Sequence, residues 1–242
     1  MQATLPSYTL RSLVNFLEQK GINRATLLAL LNTQDEALNI ADNPYPAEDY
    51  ETLLSYGADT LDIPNIGFEQ GKSFEISVWG ILGYIVLAAP SLKDALAYQK
   101  RYQCLLGNSG LAYHESRGQI VTMRWLAECC SSANSVEQVI TAWLTFAFQF
   151  TQSPQQPVSV HFTHCAIADV KQYEDYFRCP VYFEAEFNGV TLKASSLELA
   201  LQTSNQEVLN VLLCHAEQKL SQKRAEGSLD IIRQFIIEVL PD

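Results

Sequence analysis

A chain of 242 residues, 48% hydrophobic and 18% charged, has the composition of a globular protein with a sizeable core, not of a disordered or fibrous one. Its formal net charge of −11 repels phosphate backbones, because nucleic-acid affinity rests on Lys and Arg displacing counterions. The longest apolar run, "VWGILGYIVLAAP" from Val78 to Pro90, is too short and too glycine-broken to span a bilayer, and "MQATLPSYTLRS" lacks the pattern of a secretory signal.

These features predict a cytoplasmic protein with no membrane partner. Six cysteines agree with that compartment. Cys104, Cys129, Cys130, Cys165, Cys179 and Cys214 are scattered, with no C-x-x-C pair, and read as free thiols. The adjacent Cys129 and Cys130 are the pair most open to oxidation.

The first third reads as helical. "LRSLVNFLEQKG" places Leu10, Leu13, Val14 and Leu17 on one face, with Gly21 at its C-terminal end. "NRATLLALLN" follows with Asn23 as N-cap, and the pair raises a helix-turn-helix reading. Its second helix offers only Arg24 as a cation, so core packing is the better reading. After a loop from Asn39 to Pro46, a third helix is expected over Ala47–Leu61. "PSLKDALAYQKRYQCLLGN" predicts a further helix capped by Ser91 and Asp94, with Leu92, Ala95, Leu96, Gln99, Tyr102 and Leu106 inward and Gly107 as its end.

From Leu111 the apolar period becomes two. "LAYHESRGQIVTMRWL" predicts a hairpin turning at Arg117-Gly118, with Val121, Met123 and Trp125 on one face. "SVEQVITAWLTFAFQF" predicts a central helix capped by Ser135 and Gln138. "VSVHFT" predicts a strand with Val158, Val160 and Phe162 inward, and "DVKQYEDYF" a short helix. Asn188-Gly189 between alternating runs is the favoured type I′ hairpin dipeptide. Long helices are expected over Ser196 to Lys223. A last amphipathic helix is expected from a start at Gly227-Ser228, carrying Leu229, Ile232, Phe235, Ile236 and Val239 on one face until Pro241. The sum is an α+β fold in one domain over 1–242. It has a mainly helical part (1–110), an α+β part (111–195) with a small antiparallel or mixed sheet packed by helices, and helical connectors (196–242).

Several segments imitate chemistry without completing it. "GFEQGKSF" ends like a phosphate-binding loop, but Gly67 and Gly71 are one residue too close, and "LDIPNI" before it is a poor strand. "HFTHC" puts His161 and Cys165 on one strand face and His164 on the other, with no partner cluster for a metal. "GNSG" lacks the spacing of a nucleophile elbow. No catalytic group, metal or cofactor is predicted. The aromatic residues are more suggestive. Trp79, Tyr84, Tyr102, Trp125 and Trp143 fall on segments whose apolar faces meet inside. They read either as plain core or as the wall of a small-molecule pocket, and they are the candidate ligand-binding residues.

Three segments together resemble a known family. "EISVWGILGYIVLAAPSLKDALAYQKRYQCLLGN" is similar to a block of the N-terminal effector domain of AraC-type transcriptional regulators, the branch labelled arabinose-binding. The matching features are Gly80, Leu82, Gly83 and Tyr84, then Pro90-Ser91-Leu92, then Ala95-Leu96, then Tyr98 and Tyr102. "YFRCPVYFEAEFNGVTL" resembles the family's strand entry, with Arg178 where a glycine is usual, and "IIRQFIIEVLPD" looks like the helix preceding its DNA-binding module. The resemblance covers essentially the whole chain. It implies a domain that senses a small-molecule effector, can form a homodimer, and reaches DNA only through a C-terminal pair of helix-turn-helix units, expected to be absent from these residues. A stand-alone ligand-binding or protein-interaction module is the alternative.

Overall fold

The computed structural model describes residues 3–40, 42–127, 131–152 and 156–239, with residues 224–239 as backbone only. The first part is a helical cap. Strand β1 (Thr4–Pro6) pairs antiparallel with β2 (Pro44–Pro46), and each leads straight into a helix, α1 (Ser7–Gln19) and α4 (Ala47–Leu61). Between them lie α2 (Arg24–Leu30) and α3 (Asp35–Leu38). Helix α1 forms because Leu10, Leu13, Val14 and Leu17 make one fully buried stripe, and the chain then turns at Gly21 with φ +104°. The Asn23 side chain caps α2 by accepting from the Ala25 N–H. The Arg24 guanidinium is engaged by Asp35, Glu18 and Asn15, and Leu27 is buried, so this helix pair packs rather than presenting a basic face.

The middle of the chain holds α5 (Ile66–Lys72), a 3-10 turn at Ile76–Trp79, α6 (Gly80–Ala88), and α7 (Leu92–Tyr102), which a second 3-10 turn extends to Leu106. The α7 cap is as the sequence predicts, with Ser91 Oγ accepting from the Asp94 N–H. Strands β3 (Gly110–Arg117) and β4 (Ile120–Ala127) form the first hairpin. Helix α8 (Ala133–Phe150), β5 (Ser159–His161), α9 (Val170–Phe177), β6 (Val181–Tyr182) and β7 (Asn188–Lys193) follow, then α10 (Gln206–Val239). The five-stranded sheet has the order β3-β4-β7-β5-β6, antiparallel except for β5 beside β6. The fold is α+β.

Helix α8 is the axis of the molecule. Val136, Ile140 and Leu144 pack on the sheet and α9 with Val160, Phe162, Phe177 and Val190. Ala142 and Phe146 belong to a second cluster with α6, α7 and Leu209, Ala216 and Leu220 of α10. Helix α5 lies against a third side so closely that glycine is required there. A Cβ on Gly67 would stand 1.8 Å from the Asn134 carbonyl oxygen, and one on Gly71 would stand 2.5 Å from Thr141 Cβ. The glycines that imitated a phosphate loop thus serve helix packing, inside a helix.

Other expectations need correction. Asn188-Gly189 is no turn. Both residues lie within β7, and β6 pairs with β5 instead. Asn188 Oδ1 accepts from the Thr163 N–H at 2.8 Å, and Gly189 lets β4 pass where a Cβ would meet the Met123 carbonyl at 2.0 Å. The first hairpin turns one residue later, at Gly118-Gln119, with Gly118 at φ +61°. The α8 cap is Ser132, not Ser135, because Ser132 Oγ accepts from the Ser135 N–H. Val158 is 38% exposed, while Val160 and Phe162 are buried. Helix α10 runs through Gly227-Ser228 without the expected start. The apolar face from Leu229 to Val239, and the Cys129-Cys130 pair, lie outside the residues whose side chains are described.

Candidate functional site

Where the sheet, α8 and the helices meet, the packing leaves a cavity of about 200 Å³. A buried water needs only ~10–15 Å³ of such space, so this void is far larger than a hydration site. Protein interiors otherwise pack as densely as organic crystals.

Each wall has a sequence reason. Strand β4 alternates, so Met123 and Trp125 face inward beside Val190 and Leu192 of β7. Helix α8 contributes Gln138, Val139, Trp143 and Phe146, at helical spacing. Leu96 and Gln99 of α7 close the side, and Trp79, Leu82 and Val86 come from the 3-10 turn and α6. Trp125 and Trp143 meet edge to face, with ring centroids 6.1 Å apart and planes at 85°. Trp79 packs against Phe74 and Phe146. The Trp125 ring needs Gly110 opposite it, since a Cβ there would lie 2.0 Å from the indole. Gln103 lines the cavity and pins α7's extension to β3, accepting from the Ala112 N–H at 2.9 Å and donating to its carbonyl at 3.1 Å.

Of the five aromatic candidates, Trp79, Trp125 and Trp143 line the cavity and two do not. Tyr84 is 46% exposed on α6, because Leu82, Ile85 and Val86 take the buried face of that turn. Tyr102 is 2% exposed but points away from the void. Its hydroxyl donates to Glu217 of α10, and the Arg101 guanidinium meets the same carboxylate at 2.7 Å. Tyr102 therefore joins α7, a cavity wall, to α10.

The sequence reading missed the polar lining. Glu51 of α4 reaches the first turn of α8, where one carboxylate oxygen accepts from the Ser132 N–H at 3.3 Å and from the Ser135 hydroxyl. Its other oxygen, Oε2, is buried with no hydrogen-bond partner among the described residues. Gln138, read from the sequence as a cap, is 7% exposed and lines the cavity. The available signal was position. Glu51 lies one turn after Ala47 and one before Leu54 on a buried helical face, and Gln138 interrupts an apolar run.

A separate polar cluster lies on the sheet side of α8. Glu137 is fully buried, accepts from the Tyr173 hydroxyl at 2.9 Å and stands 3.9 Å from His164 Nε2. Burial pushes the Glu137 carboxyl up to about 8, against the opposing Tyr173 bond, and burial lowers His164. Both are neutral at pH 7, so the contact is not an ion pair. Among the described residues, no group of three or more His, Cys, Asp or Glu is placed to hold a metal ion. No single described helix is long and apolar enough to cross a membrane.

The domain is of the α+β class, with an aromatic-walled cavity set between a sheet and a bundle of helices. The family model described as the arabinose-binding domain of AraC transcription regulators, N-terminal, matches residues 21–201, and the chain belongs to that family. It is 23% identical over 234 residues to an ornithine utilization regulator of Pseudomonas aeruginosa, covering 93% of this chain and 68% of that protein. It also resembles the crystal structure of the transcriptional regulator CdpR from Pseudomonas aeruginosa. That match has a TM-score of 0.59 and 18% identity, and covers 85% of this chain and 61% of the other. At that identity the likeness speaks to fold. The chain spans about three fifths of the solved relative's length.

Proposed function

We propose that this chain is the effector-sensing part of a cytoplasmic, DNA-binding transcription regulator, and that the aromatic cavity is the effector site. The observation that carries this reading is the cavity itself, bounded by all three tryptophans of the chain. A pure dimerisation or interaction module has no use for a void of that size. The net charge of −11 supports assigning DNA contact to a helix-turn-helix module outside these residues.

The path for a signal follows from α7. Its Leu96 and Gln99 touch the cavity, while Arg101 and Tyr102 hold Glu217 of α10. A ligand that fits one position of α7 better than another biases α10 by that difference in affinity and no more. Helix α10 then serves as connector to the DNA reader and as a candidate contact in a homodimer. The test is to find ligands that bind the cavity and titrate them against the DNA affinity of the full regulator. An affinity change of roughly 5–150-fold is expected. No change with any cavity-binding ligand overturns the reading.

A further inference from the structure

Resting on the reading of the cavity as the effector site, we propose that its ligand is a monocationic amphiphile, an ammonium group on an apolar body, and not an anion or a polyol. The charge pattern of the lining points there. Among the described residues it contains one carboxylate, Glu51, and no Lys, Arg or His. An anionic ligand would be buried beside a like charge with no cation to pair it, a loss of several kcal/mol by ordinary burial costs. A polyol would leave most of its hydroxyls against indole and aliphatic carbon, each an unmade hydrogen bond.

Two of the polar lining groups, Glu51 and Ser135, meet at the start of α8. Glu51 is anchored at the start of α8 through Oε1, which takes the Ser132 N–H and the Ser135 hydroxyl, while Oε2 has no donor among the described residues. Less than one helical turn beyond Ser135 stands Gln138, buried and on the cavity wall. An ammonium group supplies donors for the carboxylate and for the amide oxygen, with a charge opposite to that of Glu51.

From Ser135 the α8 wall continues through Val139 to Trp143, eight residues and about 12 Å at 1.5 Å per residue. That stretch, faced by Met123, Trp125 and Leu96, is apolar and accepts an alkyl or aryl body of that length.

The chain carries its own reporter, since Trp79, Trp125 and Trp143 are all its tryptophans and all line the cavity. Tryptophan fluorescence titrations with octylamine, 1-octanol and octanoate present one tail with three head groups. Octylamine is expected to bind roughly tenfold tighter than octanol and roughly a hundredfold tighter than octanoate. Glu51→Gln should narrow the amine-to-alcohol ratio to within about threefold. Val139→Trp, which fills the void, should weaken all three. Octanoate binding as tightly as octylamine, or an amine preference that survives Glu51→Gln, overturns the cationic assignment and leaves the effector site standing. If none of the three binds, or Val139→Trp changes nothing, the site itself falls and the assignment with it. The ranking in the unmutated protein decides the charge question whether or not the Glu51 variant folds.

Discussion

Arg178 ends α9 with φ +57°, in the left-handed region where a side chain costs about 1–2 kcal/mol and glycine costs little. Arg178→Gly is expected to raise the free energy of unfolding by about 1 kcal/mol, read from urea titration. Glu137 gives the opposite kind of residue-scale prediction, one of pH. The unfolded carboxyl loses its proton near the ordinary 4.5, while the folded one keeps it to about 8. Between those values the folded state binds the extra proton, so stability falls as pH rises through the window. Burial lowers His164 from its ordinary 6.5, so its contribution lies below the range measured. The wild-type protein is therefore expected to lose up to ~1.4 kcal/mol per pH unit between pH 7 and 8, and Glu137→Gln to lose little, measured as urea midpoints across that range.

At the scale of elements, the α5–α8 contact depends on backbones touching. Gly67→Ala puts a methyl into the Asn134 carbonyl, with no flexible side chain to yield, and is expected to cost about 3 kcal/mol in thermal or urea unfolding. Helix α1, the α7 cap and the central place of α8 were legible because buried stripes and capping residues are local in sequence. The Asn188-Gly189 hairpin was misread for the complementary reason. The dipeptide's turn preference is local, but the Asn188 side chain finds the Thr163 backbone 25 residues away, and the glycine is there for β4. Tertiary contacts overrode an intrinsic propensity.

At the scale of the molecule, the cavity and α10 are joined through one cluster. Tyr102→Phe removes the hydroxyl that donates to Glu217 while keeping the buried ring. Because Glu217 is partly exposed, the loss is expected to be only about 1 kcal/mol. Hydrogen exchange over residues 206–223 should then accelerate about fivefold, and ligand-induced protection there should shrink, while ligand affinity changes little. Full protection retained in the variant would route the signal through another contact, such as that between α6 and α10.

The sequence by itself determined the class of fold, the helix stripes that build its cores, the acidic charge that disfavours direct DNA contact, and the family resemblance. These are properties of composition and of short-range period. Among the aromatic candidates it could not separate Trp79, Trp125 and Trp143, which border the void, from Tyr84 and Tyr102, which do not, since all five sit on apolar segments. Only the tertiary structure decided that, because a cavity is the space left where β4, α4, α6, α7 and α8 fail to fill one another. The carboxylate and amide on its wall come from helices nearly ninety residues apart in the chain.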